Sequence, residues 1–498
     1  MLWTAMLVLV GVLAAAPAFD DPKPAQRPLW LVVTRPVMVN ALQPLVQHRE
    51  AEGFEAVVST LPVAKALETM DRRPAYILLV GDDGPGGQDE GWYLAARAVP
   101  FYRWRRNQPF RVPSDAVWGD LDADGLPDIP VGRIPARTPL EVTTVVRKIL
   151  SWEARAPGIA DLRIPYWSGS PMYGGAVDEF AVSMAVSVVE NHVPSWLEMW
   201  LIAANPNHAL CGWPPDQPQE FARSMKTGGI FGALMGHGGI SGMTSMDFEG
   251  RDVDFDIPDM VAGLGGDERV DPPLVVFTCH SGNFTTSRLS LTEAAVLLPG
   301  GPVAAVGATS ESHPLPNYFS GVRLAKALAD RPHRFGDLWL TAQLDALEEQ
   351  DLIVGRILRE AEGSLEPDIN EGRLRRDQTL IYALMGDPAT RLKMPAPLEV
   401  DVSRTEDSCR WTVRRPPGAE LLRVGWRDVD PPLAAPRSHK DAESSRKAFA
   451  LANARLAYQT LHPPLTKQAW EGNCTQAGRY RFVAEGTGQI WATALELR

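Results

Sequence analysis

Ile230-Phe231-Gly232-Ala233-Leu234-Met235 runs into Gly236-His237-Gly238-Gly239, and Leu274-Val275-Val276-Phe277 runs into Thr278-Cys279-His280-Ser281-Gly282-Asn283-Phe284. Each stretch is a short apolar run followed by a glycine-bearing loop. A strand buried on both faces reads this way, and such strands belong to parallel sheets covered by helices. In those sheets the residues just past the carboxyl ends of the strands line the ligand crevice. A histidine and a cysteine delivered to that edge are the ingredients of nucleophilic catalysis by a thiol.

The flanking sequence keeps the same alternation. Leu29 to Thr34, Phe54 to Val58 and Ala75 to Val80 read as strands, the last ending in the loop Gly81-Asp82-Asp83-Gly84. Met38 to Glu52 carries Ala41, Leu42, Leu45 and Val46 at helical spacing, with Gly53 as its stop. Thr138-Pro139-Leu140-Glu141 is a capping box that opens a helix to about Glu153, before Ala156-Pro157-Gly158 breaks the chain. A second α/β stretch follows, with strands at Ile164 to Trp167 and Leu197 to Ile202 around a helix over Asp178 to Glu190. After the histidine and cysteine strands come a second capping box, Ser290-Leu291-Thr292-Glu293, and a strand at Pro302 to Val306. The pattern predicts an α/β fold with a mainly parallel sheet and helices on both faces. No internal repeat is present.

Beyond Pro395-Ala396-Pro397 the texture changes to short alternating segments separated by Gly and Pro: Cys409 to Val413, Leu421 to Trp426, Tyr480 to Val483 and Gln489 to Leu497. They predict a small all-β sandwich, with polar Pro431 to Lys447 as a long loop. The expected division is a leader at 1–18, an N-terminal α/β part at 19–160, an α/β part carrying the histidine and cysteine at 161–395, and the β-domain at 396–498.

Composition narrows the function. With 49 basic and 61 acidic residues the formal charge is -12, which argues against a broad nucleic-acid surface. Met1 to Ala18 is almost wholly apolar and ends in Ala16-Pro17-Ala18, a small-x-small cleavage pattern, although no basic residue precedes Lys23. The expectation is an exported protein, secreted, periplasmic or on the cell surface, with no further membrane span. A retained N-terminal anchor is the alternative. Of the four cysteines, Cys409 and Cys474 suit a disulfide in an oxidising compartment. Cys211 and Cys279 remain; a bond between them would silence the nucleophile, and a buried structural role is open to either.

The dyad Cys279–His237 forms only through folding. An imidazole near the thiol favours the reactive thiolate. Ser281 and Gly282 let a substrate backbone approach closely, and glycine N–H groups beside His237 are candidates for holding a developing oxyanion. Asp120-Leu121-Asp122-Ala123-Asp124-Gly125-Leu126-Pro127-Asp128 places carboxylates at positions 1, 3, 5 and 9 and glycine at 6, as an oxygen-ligand calcium loop does. Position 12 is Val131 rather than the bidentate Glu, so the loop is no complete EF-hand, and an Asp-rich turn is the plainer alternative.

The order of these motifs resembles the caspase-like clan of cysteine peptidases, and within it the gingipain family. The likeness is carried by Thr278 to Phe284, by Glu293-Ala294 with Gly301 to Thr309, by Asp128-Ile129-Pro130-Val131-Gly132-Arg133-Ile134-Pro135, and by Met385-Gly386-Asp387-Pro388-Ala389. It runs from about Leu29 to Leu392. The resemblance implies a cysteine endopeptidase acting on proteins or peptides, with Cys279 as nucleophile and His237 as general base and acid. The N–H groups of Gly238 and Cys279 would form the oxyanion hole. His280 is the rival partner for the thiol. The family's basic P1 preference needs a carboxylate in the specificity pocket, and Asp178 and Glu179 stand in about the matching region. Acids also favour a first helical turn for its own sake. His313, with Ser310 and Asn317, stands where the family has its pocket wall, and departs from the Trp and Met found there. The resemblance also implies structural calcium at Asp120, Asp122, Asp124 and Asp128, no organic cofactor, and an immunoglobulin-like C-terminal domain. The long inhibitory pro-segment of better-known relatives has no room between Ala18 and Leu29, so the expectation is either control by another route or no need of control. A transpeptidase or ligase of the same fold and a catalytically inactive binding protein are the alternatives.

Overall fold

The computed structural model describes residues 26–102, 110–172, 174–266, 269–352, 354–356, 370–405, 409–429, 441–461, 464–466 and 470–497. The expected leader lies outside them. The first strands are β1 (Leu29–Thr34), β2 (Glu55–Ser59), β3 (Tyr76–Val80), β4 (Arg97–Phe101), β5 (Phe110–Ser114) and β6 (Val131–Ile134). Then come β7 (Arg163–Ser168), β8 (Glu198–Ala203), β9 (Gly232–Met235), β10 (His237–Gly239), β11 (Gly242–Phe248) and β12 (Arg251–Asp256). The α/β region closes with β13 (Leu274–Phe277), β14 (Ala305–Ala308) and β15 (Tyr382–Met385). The helices are α1 (Val39–Ala51), α2 (Val63–Glu68), α3 (Pro139–Ala154), α4 (Gly175–His192), α5 (Gln217–Thr227) and α6 (Ile257–Gly263). They continue with α7 (Leu291–Leu297), α8 (Pro314–Ala327), α9 (Phe335–Asp345), α10 (Glu371–Ile381) and α11 (Ala442–Leu456).

Ten strands form one sheet in the order β2-β1-β3-β6-β15-β14-β13-β9-β7-β8. Pairing is parallel except where β14 meets β15, so the sheet is mainly parallel, as the apolar runs predict. The two α/β stretches are joined across β6 and β15, which pair in parallel at Leu384 with Gly132. A Cβ on Gly132 would sit 2.4 Å from the Gly386 carbonyl oxygen, so only glycine admits this approach.

Helices cover both faces. Trp30 and Val32 pack with α1 and α3, while Leu31 and Val33 pack with α2, because alternate residues point to opposite faces. Further along, α5 and α7 share the first face, and α8 and α9 cover the second. Both predicted capping boxes are present: Thr138 accepts from the Glu141 N–H at the start of α3, and Ser290 from the Glu293 N–H at the start of α7.

Two family-like motifs turn out to join distant parts of the chain. Arg133 is fully buried, donates to both carboxylate oxygens of Asp115 and to the Gly81 and Leu94 carbonyls, and lies 4.6 Å over the Phe284 ring. Asp387 is likewise buried and accepts from Trp30 Nε1 at 3.2 Å and Arg49 Nε at 2.9 Å. Arg49 in turn is paired with Glu153 of α3. A buried charge is tolerable only when paired and hydrogen-bonded in this way.

The C-terminal region holds two sheets over a shared core that includes Trp411, Val424 and Phe482. The expected disulfide joins Cys409 to Cys474. The region is not all-β. Part of the expected loop, at 442–447, belongs to α11, whose first turn is capped by Asp441 accepting from the Ser444 N–H at 2.8 Å. Helix α11 docks on β8, the edge of the large sheet. Asn453 accepts from the Leu201 N–H and donates to the Leu201 carbonyl, taking the place of a missing strand.

Candidate active site

Strands β9 and β13 lie side by side, with Phe277 opposite Met235. Their carboxyl ends therefore bring His237 and Cys279 to the same edge of the sheet, and both line one cavity of about 510 Å³. The Cys279 thiol is partly exposed and faces the Ser312 carbonyl oxygen at 3.7 Å and the Ser312 hydroxyl at 4.0 Å. Ser312 is held from behind: its hydroxyl accepts from Asn317 Nδ2, and Asn317 Oδ1 accepts from the Tyr382 hydroxyl and Gln378. No hydrogen bond among the described residues engages the Cys279 N–H.

His237 is exposed, and its Nε2 lies 2.9 Å from the Pro171 carbonyl oxygen. A carbonyl only accepts, so Nε2 carries the proton and Nδ1 is the basic nitrogen. Gly238 is held against the nucleophile segment: a Cβ there would meet Thr278 Cβ at 2.7 Å and the Gly242 carbonyl at 2.9 Å. His280 adopts φ 59°, its N–H bonds the Ser310 carbonyl, and it does not line the cavity. The chain thus turns away immediately after Cys279, leaving His237 as the imidazole at the cavity.

The other free cysteine is different. Cys211 is 1% exposed, beside Met246 and Gln217, and burial pushes its thiol up to about 12. Cys211 and Cys279 are both free, with no bond between them.

The expected pocket acids are not gathered at the cavity. Asp178 accepts from the Ser170 hydroxyl at 3.0 Å and the Gly174 N–H at 3.2 Å, at the start of α4. Glu179 is exposed, and neither residue lines the cavity. His313 is buried and caps α8 through Nδ1, which accepts from the Leu315 N–H; its neighbours Ser312 and Pro314 line the cavity in its place. Glu311, not singled out from the sequence, does line it. The signal was available, since Glu311 lies three residues past β14, the strand that follows the cysteine strand in the sheet.

In the Asp-rich loop, Asp120, Asp122 and Asp124 bring one carboxylate oxygen each within 4.8 Å of one another. Asp120 Oδ1 is buried with no protein partner, which fits a cation. Asp128 stands apart from the three: it accepts from the Leu121 N–H and pairs with Arg73, so it closes the loop instead. Val131 is committed to β6 and offers no ligand.

The model of peptidase family C25 matches residues 23–393. Among solved structures, gingipain R, described as an Arg-specific cysteine proteinase, aligns with a TM-score of 0.54 and 12% identity over 96% of this chain and 100% of that one. A structure described only as a protease gives 0.55 and 13% over 94% of this chain and 97% of that one. The complex of the pro- and mature domains of RgpB from Porphyromonas gingivalis gives 0.52 and 11% over 94% and 100%. At these identities the likeness is one of fold. No curated protein matches the chain significantly.

Proposed function

The chain belongs to peptidase family C25, and on that premise we propose that it is a cysteine endopeptidase acting through Cys279 and His237. The observation that supports this most is the meeting of both side chains in one cavity at the carboxyl ends of adjacent strands. In the proposed cycle a peptide carbonyl lies over the thiol with its oxygen towards the N–H groups of Cys279 and Gly238. His237 takes the thiol proton, sulfur attacks the carbonyl carbon, and the oxyanion is held by the two N–H groups. The C–N bond then breaks, His237 returns the proton to the leaving amine, and Cys279 carries the acyl group as a thioester. Water, deprotonated by His237, attacks that thioester and restores the thiol.

The basic P1 preference implied by the resemblance finds little support, since Asp178 and Glu179 lie off the cavity lining. Structural calcium at Asp120, Asp122 and Asp124 is part of the proposal, supported by the unpartnered Asp120 oxygen. Calcium would neutralise three clustered carboxylates and fix the loop that leads into β6. Calorimetry should detect calcium binding, lost in Asp120→Ala. Export and an immunoglobulin-like character for the C-terminal region are likewise proposed; no helix among the described residues is long and apolar enough to cross a membrane. Hydrolysis of a mixed peptide library by wild-type protein, absent from Cys279→Ala, tests the central reading, and no cleavage under reducing conditions would defeat it.

A further inference from the structure

The cavity does not stop at the thiol. It continues under α4 and α8 along one face of the sheet. Ile164, Tyr166 and Ser168 of β7 line it, as do Phe231, Ala233 and Met235 in and before β9, because residues two apart share a face. The wall from Ile164 to Ser168 is about 13 Å long at the rise of an extended chain. Its far end, at Ile164, Met199 and Phe231, lies at the amino ends of the strands, a full strand length from Cys279. Helix α4 closes the space with Phe180, Met184 and Val188, and α8 with Val322 and Ala325.

Glu311 is the one carboxylate among the described lining residues, and it stands in the loop next to Ser312, whose carbonyl faces the thiol. A lysine or arginine side chain entering the far part would leave water for aliphatic, aromatic and thioether groups, with no anion there to receive it.

We infer that the cavity receives a bulky apolar side chain on the acyl side of the scissile bond, of the leucine, methionine or phenylalanine class, and disfavours arginine and lysine. This rests on the peptidase reading of the same site and departs from the basic preference expected of the sequence.

Peptidyl ketone probes identical except for Phe, Leu, Ala or Arg at P1 test it on wild type, Gly321→Leu and Ala325→Phe. Gly321 lines the cavity from α8, and a Cβ there meets Met235 only at an ordinary 3.5 Å, so its leucine variant should fold. The Phe and Leu probes should label Cys279 at least about tenfold faster than the Arg probe, and either filling variant should shift preference towards Ala by about tenfold. Faster labelling by the Arg probe, lost in Glu311→Gln, would overturn the inference, as would filling variants with unchanged ranking. A second measurement separates it from the peptidase reading: peptides ending in Phe or Arg are titrated into Cys279→Ala. Tighter binding of the Phe peptide supports the inference even if no probe labels wild type. Equal binding, or tighter binding of the Arg peptide, contradicts it whatever the catalytic outcome.

Discussion

Cys279 and Cys211 are the two free thiols among the described residues, and the fold treats them oppositely. Cys211 ends a short turn after β8 and is sealed among Met246, Gln217 and the core, where burial pushes its thiol up to about 12. Cys279 follows β13 at the crevice edge, partly exposed, with an imidazole on the neighbouring strand end and open cavity before it. Residue type alone does not make a nucleophile. In the proposed mechanism the strand end gives Cys279 exposure and an imidazole at the same cavity, whereas Cys211 is buried and meets the Asn205 N–H and the Gln217 amide.

The comparison breaks most sharply under substitution. Cys279→Ala should lower peptide hydrolysis by about 10⁴-fold or more, whereas Cys211→Ala should leave kcat/KM within about twofold; initial rates on one fluorogenic peptide check both. His237→Ala should cost about 10² to 10⁴-fold in kcat. If His280→Ala cost as much and His237→Ala little, the base would have been assigned to the wrong residue.

Stability provides a second contrast, since buried groups away from the cavity should matter for folding alone. Removing Asp387 leaves Arg49 and the Trp30 N–H short of their partner, so Asp387→Ala should destabilise by about 3–5 kcal/mol in urea titrations. Glu293 gives a pH-dependent case. Burial pushes its carboxyl up to about 7 from an ordinary value of 4.5. Between those values the unfolded chain has lost the proton and the folded chain has kept it, so stability falls as pH rises through this window. Glu293→Gln should flatten that fall, which amounts to about 3 kcal/mol, and denaturant melts from pH 4 to 8 would show it. The smallest expected effect is Cys211→Ala on stability, about 1 kcal/mol for a lost buried sulfur.

Much of the sheet was legible because a parallel strand must be apolar on both faces. Leu29–Thr34 and Leu274–Phe277 fall on the expected residues, and the capping boxes start α3 and α7 where Thr138 and Ser290 say they should. The hairpin β11–β12 went unread, because β11 opens at Gly242 and its register shifts between Thr244 and Met246. The opening of α11, at 442–447, read as loop because it is polar and its buried apolar positions Phe449, Ala452 and Leu456 come later. At the site, the placement of His237 and Cys279 at neighbouring strand ends was legible. The cavity was not, since its walls come from α4, α8 and five strands, β7, β8, β9, β10 and β13, that only the fold assembles. Asp178 illustrates the limit: the sequence places it near the pocket, but its hydrogen bonds to Ser170 and Gly174 hold it at the helix start.

The most direct test of the central claim is peptide mapping after labelling the folded, reduced protein with a peptidyl ketone probe. The account predicts a single adduct on Cys279, slowed sharply in His237→Ala and unaffected by Cys211→Ala. An adduct on Cys211, or none on a Cys279 that also resists small alkylating agents, would contradict it.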